Sequence, residues 1–226
     1  MEEDHRKMKH VLILVEGQTE EQYIKNVLSP YLNQYDIILT PTIINTKIVK
    51  GGNNFKGGLN RYQQVKNDLN KLFRDKSVFI TTFFDFYRLP RDFPGYSKIN
   101  NSLTSIEKVK YLENEFFMDL DEKRFIPFIQ IHEFETLLFA SIKGFNSFYS
   151  SRVAHLKQIQ SIIEKFPNPE DINDNPNTAP SKRLISIFPE YNKPVQGVLI
   201  AIENGITETL NKCPHFADWV STLLAI

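Results

Sequence analysis

Short, unbroken apolar runs alternate with amphipathic stretches through the first two-thirds of the chain. Val11-Leu12-Ile13-Leu14-Val15 is the first run. It is short and β-branched, so it reads as a strand buried on both faces, as in a parallel sheet. Gly17 then gives a turn, and a helix is expected over 20–28, closed by Pro30. Glu20 and Glu21 fall in its first turn, where acids suit the helix dipole. Positions 37–44 read as a second strand, with Pro41 marking an edge or a break. Helical spacing covers 59–73, with Leu69, Leu72 and Phe73 on one side. A third buried strand runs over 78–84, a helix over 105–118 and a fourth strand over 125–131. This order predicts an α/β fold: a mostly parallel four-stranded sheet, flanked by helices and joined by right-handed crossovers.

The last third reads differently. Positions 166–180 are rich in Pro, Asn and Asp and look like loop, followed by helices over 195–210 and 217–223. The expected organisation is a core over 1–145 and a helical C-terminal region over 146–226 packed on it. Trp219, Val220, Leu223 and Leu224 read as packing residues of that region.

Composition narrows the class. The chain has 226 residues, 41% hydrophobic and 24% charged, which suits a globular protein. Its lone cysteine, Cys213, excludes an intramolecular disulfide and fits a reducing compartment. No segment approaches the ~20 apolar residues of a membrane span, and the charged first residues show no signal-peptide pattern. A cytoplasmic protein with no membrane partner is the expectation.

Net charge is zero, with 27 basic and 27 acidic residues, unlike the basic excess of a stand-alone nucleic-acid binder. The average conceals an asymmetry. Ten basic residues fall between Lys47 and Arg91, opposed only by Asp68, Asp75 and Asp85. Lys66, Lys71 and Arg74 read as a solvated helix face. Lys50 to Gly58 reads as a flexible basic loop with four glycines, which matches neither a Walker A nor a dinucleotide fingerprint.

Chemistry concentrates at strand ends. The first run leads into Glu16, the third into Asp85, and the fourth into His132-Glu133-Phe134-Glu135. In a parallel sheet these ends share the edge where open α/β folds hold their active sites. Oxygen-only ligands there suit Mg²⁺ or Mn²⁺, and such a site supports phosphoryl transfer. A lone strand-end acid is equally a solvated turn residue, so the weight lies on the three together. His132 reads either as a structural histidine bonded to nearby backbone or as a general base or phosphate contact. Lys56, Arg88 and Arg183 are the candidate phosphate contacts.

Val15-Glu16-Gly17-Gln18-Thr19-Glu20 and the later strand-Asp85 resemble the Toprim domain of topoisomerases, primases and OLD-family nucleases. More closely, the chain resembles a bacterial Toprim-like domain-of-unknown-function family, number forty-two seventy-six. The matching stretches include Lys50-Gly51-Gly52, Phe84-Asp85-Phe86-Tyr87, Asp92-Phe93-Pro94-Gly95, Ile131-His132-Glu133-Phe134-Glu135, Asn173-Asp174, Ala179-Pro180-Ser181-Lys182-Arg183, Tyr191-Asn192-Lys193 and Cys213-Pro214-His215-Phe216. The resemblance implies a Toprim fold and a divalent-metal nuclease, an effector of anti-phage defence beside an ABC- or AAA-type ATPase, with nucleic acid as substrate and a homodimer as a possible assembly. It implies Glu16 as metal ligand or acid/base, Glu20 as the second acid of a glutamate pair, and Asp85 as the first aspartate of Asp-x-Asp. Tyr87 stands at the second aspartate's position, and tyrosine is a poor Mg²⁺ ligand. Glu133 or Glu135 is the expected replacement. The alternative is a non-catalytic regulatory or docking partner of the ATPase.

Overall fold

The computed structural model describes residues 8–44, 59–100, 102–173 and 176–226. Strand β1 (Lys9–Val15) forms where the first apolar run predicts it. Helical backbone follows without interruption: α1 (Gln18–Tyr23), a π-helical turn over Ile24–Leu28, and α2 (Ser29–Leu32). Pro30 therefore does not end the helix, contrary to expectation. It falls in the first turn of α2, directly after the π turn. There the widened ladder accommodates a residue with no N–H to donate.

Strand β2 (Ile37–Ile43), helix α3 (Tyr62–Leu72) and strand β3 (Phe79–Asp85) come next. Helix α4 (Ser105–Leu120) opens on a capping box between Thr104 and Glu107. The expected fourth strand is two short pieces, β4 (Phe125–Ile126) and β5 (Ile129–Gln130). Pro127 lies between them and cannot donate to a ladder. The strand order is β2-β1-β3-β4, with β5 also on β3, and every pairing is parallel. This is the α/β parallel-sheet class expected. Pro41 is tolerated because β2 is an edge strand.

Both faces of the sheet are covered, which explains the unbroken apolar runs. Val11, Ile13, Val15 and Phe83 face one apolar cluster, and Leu14, Ile80 and Phe84 face the other. The second cluster is closed by Val65 and Leu69 of α3 and by Val109, Leu112 and Phe116 of α4.

The first cluster is closed largely by the C-terminal helices. These are α5 (Lys143–Phe148), α6 (Val153–Lys165), α7 (Pro180–Ile187), α8 (Val198–Asn204), α9 (Ile206–Lys212) and α10 (Pro214–Leu224). The expected helix over 195–210 is broken at Gly205, whose φ of 82° suits glycine. Trp219 stacks on Phe128 at 4.2 Å between ring centroids, and its indole N–H donates to Thr81 Oγ1 at 2.9 Å. Among the described residues no helix is long and apolar enough to cross a membrane.

Candidate active site

Register brings the strand-end residues together. Val15 pairs with Ile43 on one side and with Phe83 on the other. Glu16 therefore leaves β1 beside the end of β3, where Asp85 lies. Glu20 returns toward the same point from the first turn of α1 and is buried. After β5 the chain turns sharply at His132, whose φ of 63° is left-handed. The turn leads into a 3₁₀ segment, Phe134–Ala140, and points Glu135 inward, where it is 2% exposed. The Phe134 N–H donates to Asp85 Oδ1 at 2.8 Å, which fixes the aspartate.

Lys193 stands among these acids. It begins a π-helical turn, Lys193–Gly197, that runs into α8. Its Nζ lies 3.2 Å from Glu20 Oε1, 3.1 Å from Asp85 Oδ2 and 3.2 Å from Glu135 Oε2. The ammonium also sits over the Phe134 ring, 5.6 Å from its centroid. Beside this cluster opens a cavity of about 540 Å³, lined by Glu16, Glu20, Asp85, Arg88, Lys193 and the apolar side chains of Ile43, Ile44 and Pro194.

Acids outnumber bases here, and the electrostatics follow. Burial, aided by the charges of Asp85 and Glu20, pushes the Glu16 carboxyl up to about 8. Burial raises Glu20 as well, against the pull of Lys193. Burial lifts Glu135 to about 7, again opposed by Lys193. Burial alone disfavours the charge on Lys193, but Asp85, Glu135 and Glu20 together overcome it and hold the ammonium charged. Glu16 Oε2 and Glu135 Oε2 are buried without a hydrogen-bond partner.

The expected site residues divide. Glu16, Glu20, Asp85 and Glu135 converge, and Arg88 lines the cavity. Glu133 points elsewhere: its Oε1 accepts the Ser181 N–H at 2.5 Å, at the start of α7. The Arg183 guanidinium donates to the Thr178 carbonyl at 2.7 Å and the Ile172 carbonyl at 3.0 Å. His132 is buried behind the acids, bonded to Tyr87 and to the Glu170 carbonyl. Lys56 lies outside the described residues, as does the basic loop around it. Lys193 had no chemistry assigned from its residues alone. Its only signal was Tyr191-Asn192-Lys193 among the stretches that carry the family resemblance.

The sequence profile of the family described as "Domain of unknown function (DUF4276)" matches residues 15–224. A search of curated proteins found no match. Among solved structures, the chain is similar to the C-terminal region of the Xanthomonas campestris pv. campestris OLD protein phased with mercury, at 14% identity and a TM-score of 0.37, over 96% of this chain and 98% of that one. It is similar to the same region phased with iodine, at 14% identity and a TM-score of 0.36, over 98% of this chain and 100% of that one.

Proposed function

We propose that this chain, which belongs to the DUF4276 family, hydrolyses phosphodiester bonds in nucleic acid with the help of Mg²⁺ or Mn²⁺. The observation that carries the reading is the meeting of Glu16, Glu20, Asp85 and Glu135 from four separate segments, at the carboxyl edge of a parallel sheet and beside a cavity. Bunching four carboxylates is costly to a fold, so the arrangement calls for a cationic ligand.

The donor set fits a hard divalent cation. All four side chains offer oxygen, which Mg²⁺ and Mn²⁺ prefer. Two buried oxygens, Glu16 Oε2 and Glu135 Oε2, have no hydrogen-bond partner. As the side chains stand, no group of three His, Cys, Asp or Glu among the described residues is disposed to hold one ion. Lys193 takes the point that Glu20, Asp85 and Glu135 share. We assign Glu16, Asp85 and Glu135 as the ligands and leave Glu133 aside, since its carboxylate is engaged at α7.

A bound ion supplies polarisation of the phosphodiester and activation of water. The chain's own residues do the rest. Arg88 lines the cavity as a cation able to face a phosphate. Glu16, with a carboxyl near 8, holds a proton at neutral pH in the metal-free site and releases it when a cation arrives. Asp85 is held in place by the Phe134 N–H. The setting we propose, from the family resemblance, is an ATPase-controlled anti-phage system.

The test is cleavage of plasmid DNA and of total tRNA with Mg²⁺ and with Mn²⁺, with and without an ATPase encoded beside the gene. Glu16→Ala and Asp85→Asn, the latter keeping an acceptor for the Phe134 N–H, should abolish metal-dependent cutting while remaining folded. The second reading, a non-catalytic partner of an ATPase, is favoured by Lys193, which already compensates three of the acids. It prevails if nothing is cut with the ATPase present.

A further inference from the structure

We infer that Lys193 is a built-in counter-ion for the acid cluster, which a divalent cation must displace before it binds. The inference rests on the metal-site reading above and adds a competitor to it. Three observations carry it. First, the ammonium makes three near-equal contacts, 3.2, 3.1 and 3.2 Å, to carboxylates of α1, β3 and the Phe134–Ala140 segment. The Asp85 contact is a hydrogen bond, and the other two are close ion pairs, so one ammonium offsets the charge of three carboxylates. Second, the acids it touches are 4%, 2% and 2% exposed, so in its absence little solvent would shield them. Third, the lysine has somewhere to go. Its side chain keeps 28% exposure, and it lines the cavity.

Coulomb's law sets the consequence. An ion placed among Glu16, Asp85 and Glu135 lies within a few ångströms of the ammonium, and two cations so close in a poorly solvated site repel strongly. Both also need the same oxygens of Asp85 and Glu135. Cation binding and the Lys193 contacts therefore exclude one another, and occupation of the site swings the ammonium into the cavity. Lys193 also explains how four clustered acids fold in the absence of metal. Weak cations are refused, and the free ammonium is delivered to the space that an anionic substrate would enter.

The test measures binding rather than turnover. Mn²⁺ and Mg²⁺ are titrated calorimetrically into the full chain and into Lys193→Met, which keeps the apolar stem without the charge. Lys193→Met should bind Mn²⁺ at least tenfold more tightly than wild type. Equal or weaker binding, with wild type still binding through Glu16 and Asp85, overturns the counter-ion inference and leaves the metal reading standing. No binding by either protein overturns the metal reading and the inference with it. Should Lys193→Met fail to fold, wild type answers alone, by NMR of ¹⁵N-labelled lysine ammonium groups, with Lys193→Arg identifying the signal. The Lys193 resonance should be present without metal and lose its protection at saturating Mg²⁺. A resonance unmoved by bound Mg²⁺ overturns the inference.

Discussion

Nδ1 of His132 lies 2.9 Å from the Tyr87 hydroxyl, and the contact settles how the ring is used. The other ring nitrogen faces the Glu170 carbonyl oxygen at 2.9 Å. A carbonyl only accepts, so Nε2 carries the hydrogen and Tyr87 donates to a bare Nδ1. Burial pushes the ring down to about 4, so it stays neutral at physiological pH. The Tyr87 N–H also donates to the His132 carbonyl at 3.1 Å. Tyr87 thus anchors the turn that carries Glu135 inward.

His132 should therefore behave as a positioning residue. Its left-handed backbone tolerates Asn better than Ala. His132→Asn is expected to lose roughly 1–2 kcal/mol in urea unfolding, and His132→Ala more, since each buried hydrogen bond contributes about 1 kcal/mol. A stable His132→Asn with no activity would instead mark a catalytic base.

Gly144→Ala should be severely destabilising. A Cβ there would meet the Ile200 carbonyl oxygen at 2.3 Å, backbone that has no rotamer to yield. The Gly144 N–H donates to Asn204 Oδ1 at 2.8 Å, and the Asn204 amide donates to the Leu138 carbonyl at 2.8 Å. Separating α5 from α8 would strain that buried network too. The expected loss is about 1–3 kcal/mol or more, read as a lowered urea midpoint with unchanged slope.

Glu170 is the hub behind the site. Its carboxylate accepts the His215 N–H at 2.9 Å and the Phe216 N–H at 3.0 Å, in the first turn of α10. Its carbonyl holds His132. Glu170→Ala leaves two buried donors without partners, at about 1–3 kcal/mol each. Glu170→Gln keeps one acceptor and should lose about half as much. Equal melting temperatures for the two variants would mean that the acceptor kept by Gln contributes nothing, and the hydrogen-bond account of Glu170 would fail.

Much of this was legible beforehand because it depends on local pattern. Val11 to Val15 could only be a strand covered on both sides, and the parallel order placed Glu16 and Asp85 on one edge. What escaped prediction depends on distant partners. The choice of Glu135 over Glu133 hangs on the left-handed turn at His132, and nothing in His-Glu-Phe-Glu announces a positive φ. Lys193 lies 108 residues from Asp85 and starts a π turn, and a lysine beside a helix is ordinarily a solvated one. Pro30 misled for a related reason. A proline normally ends a helix, but the preceding π turn removes the conflict.

The acid cluster should also write itself into the pH dependence of stability. Glu16 sits near 8 and Glu135 near 7 in the fold, against an ordinary 4.5, with burial the main cause for both. Between those values the folded chain binds more protons than the unfolded one, so stability falls as pH rises from about 4.5 to about 8. His215, raised by Glu113 against its burial, slopes the same way. His132, lowered to about 4, acts in the opposite sense, losing stability as pH falls below 6.5. Comparing pH 6.5 with pH 8.5 keeps His132 nearly silent. The metal-free protein should melt lower at pH 8.5. Glu16→Gln cannot ionise, so it should flatten the slope and melt above wild type at pH 8.5. Mg²⁺ should raise the melting temperature more at pH 8.5 than at 6.5, because carboxylates must shed protons to bind it. Identical pH slopes for wild type and Glu16→Gln would mean that Glu16 titrates as an ordinary surface acid, and the cluster would lose its claim to be poised for a cation.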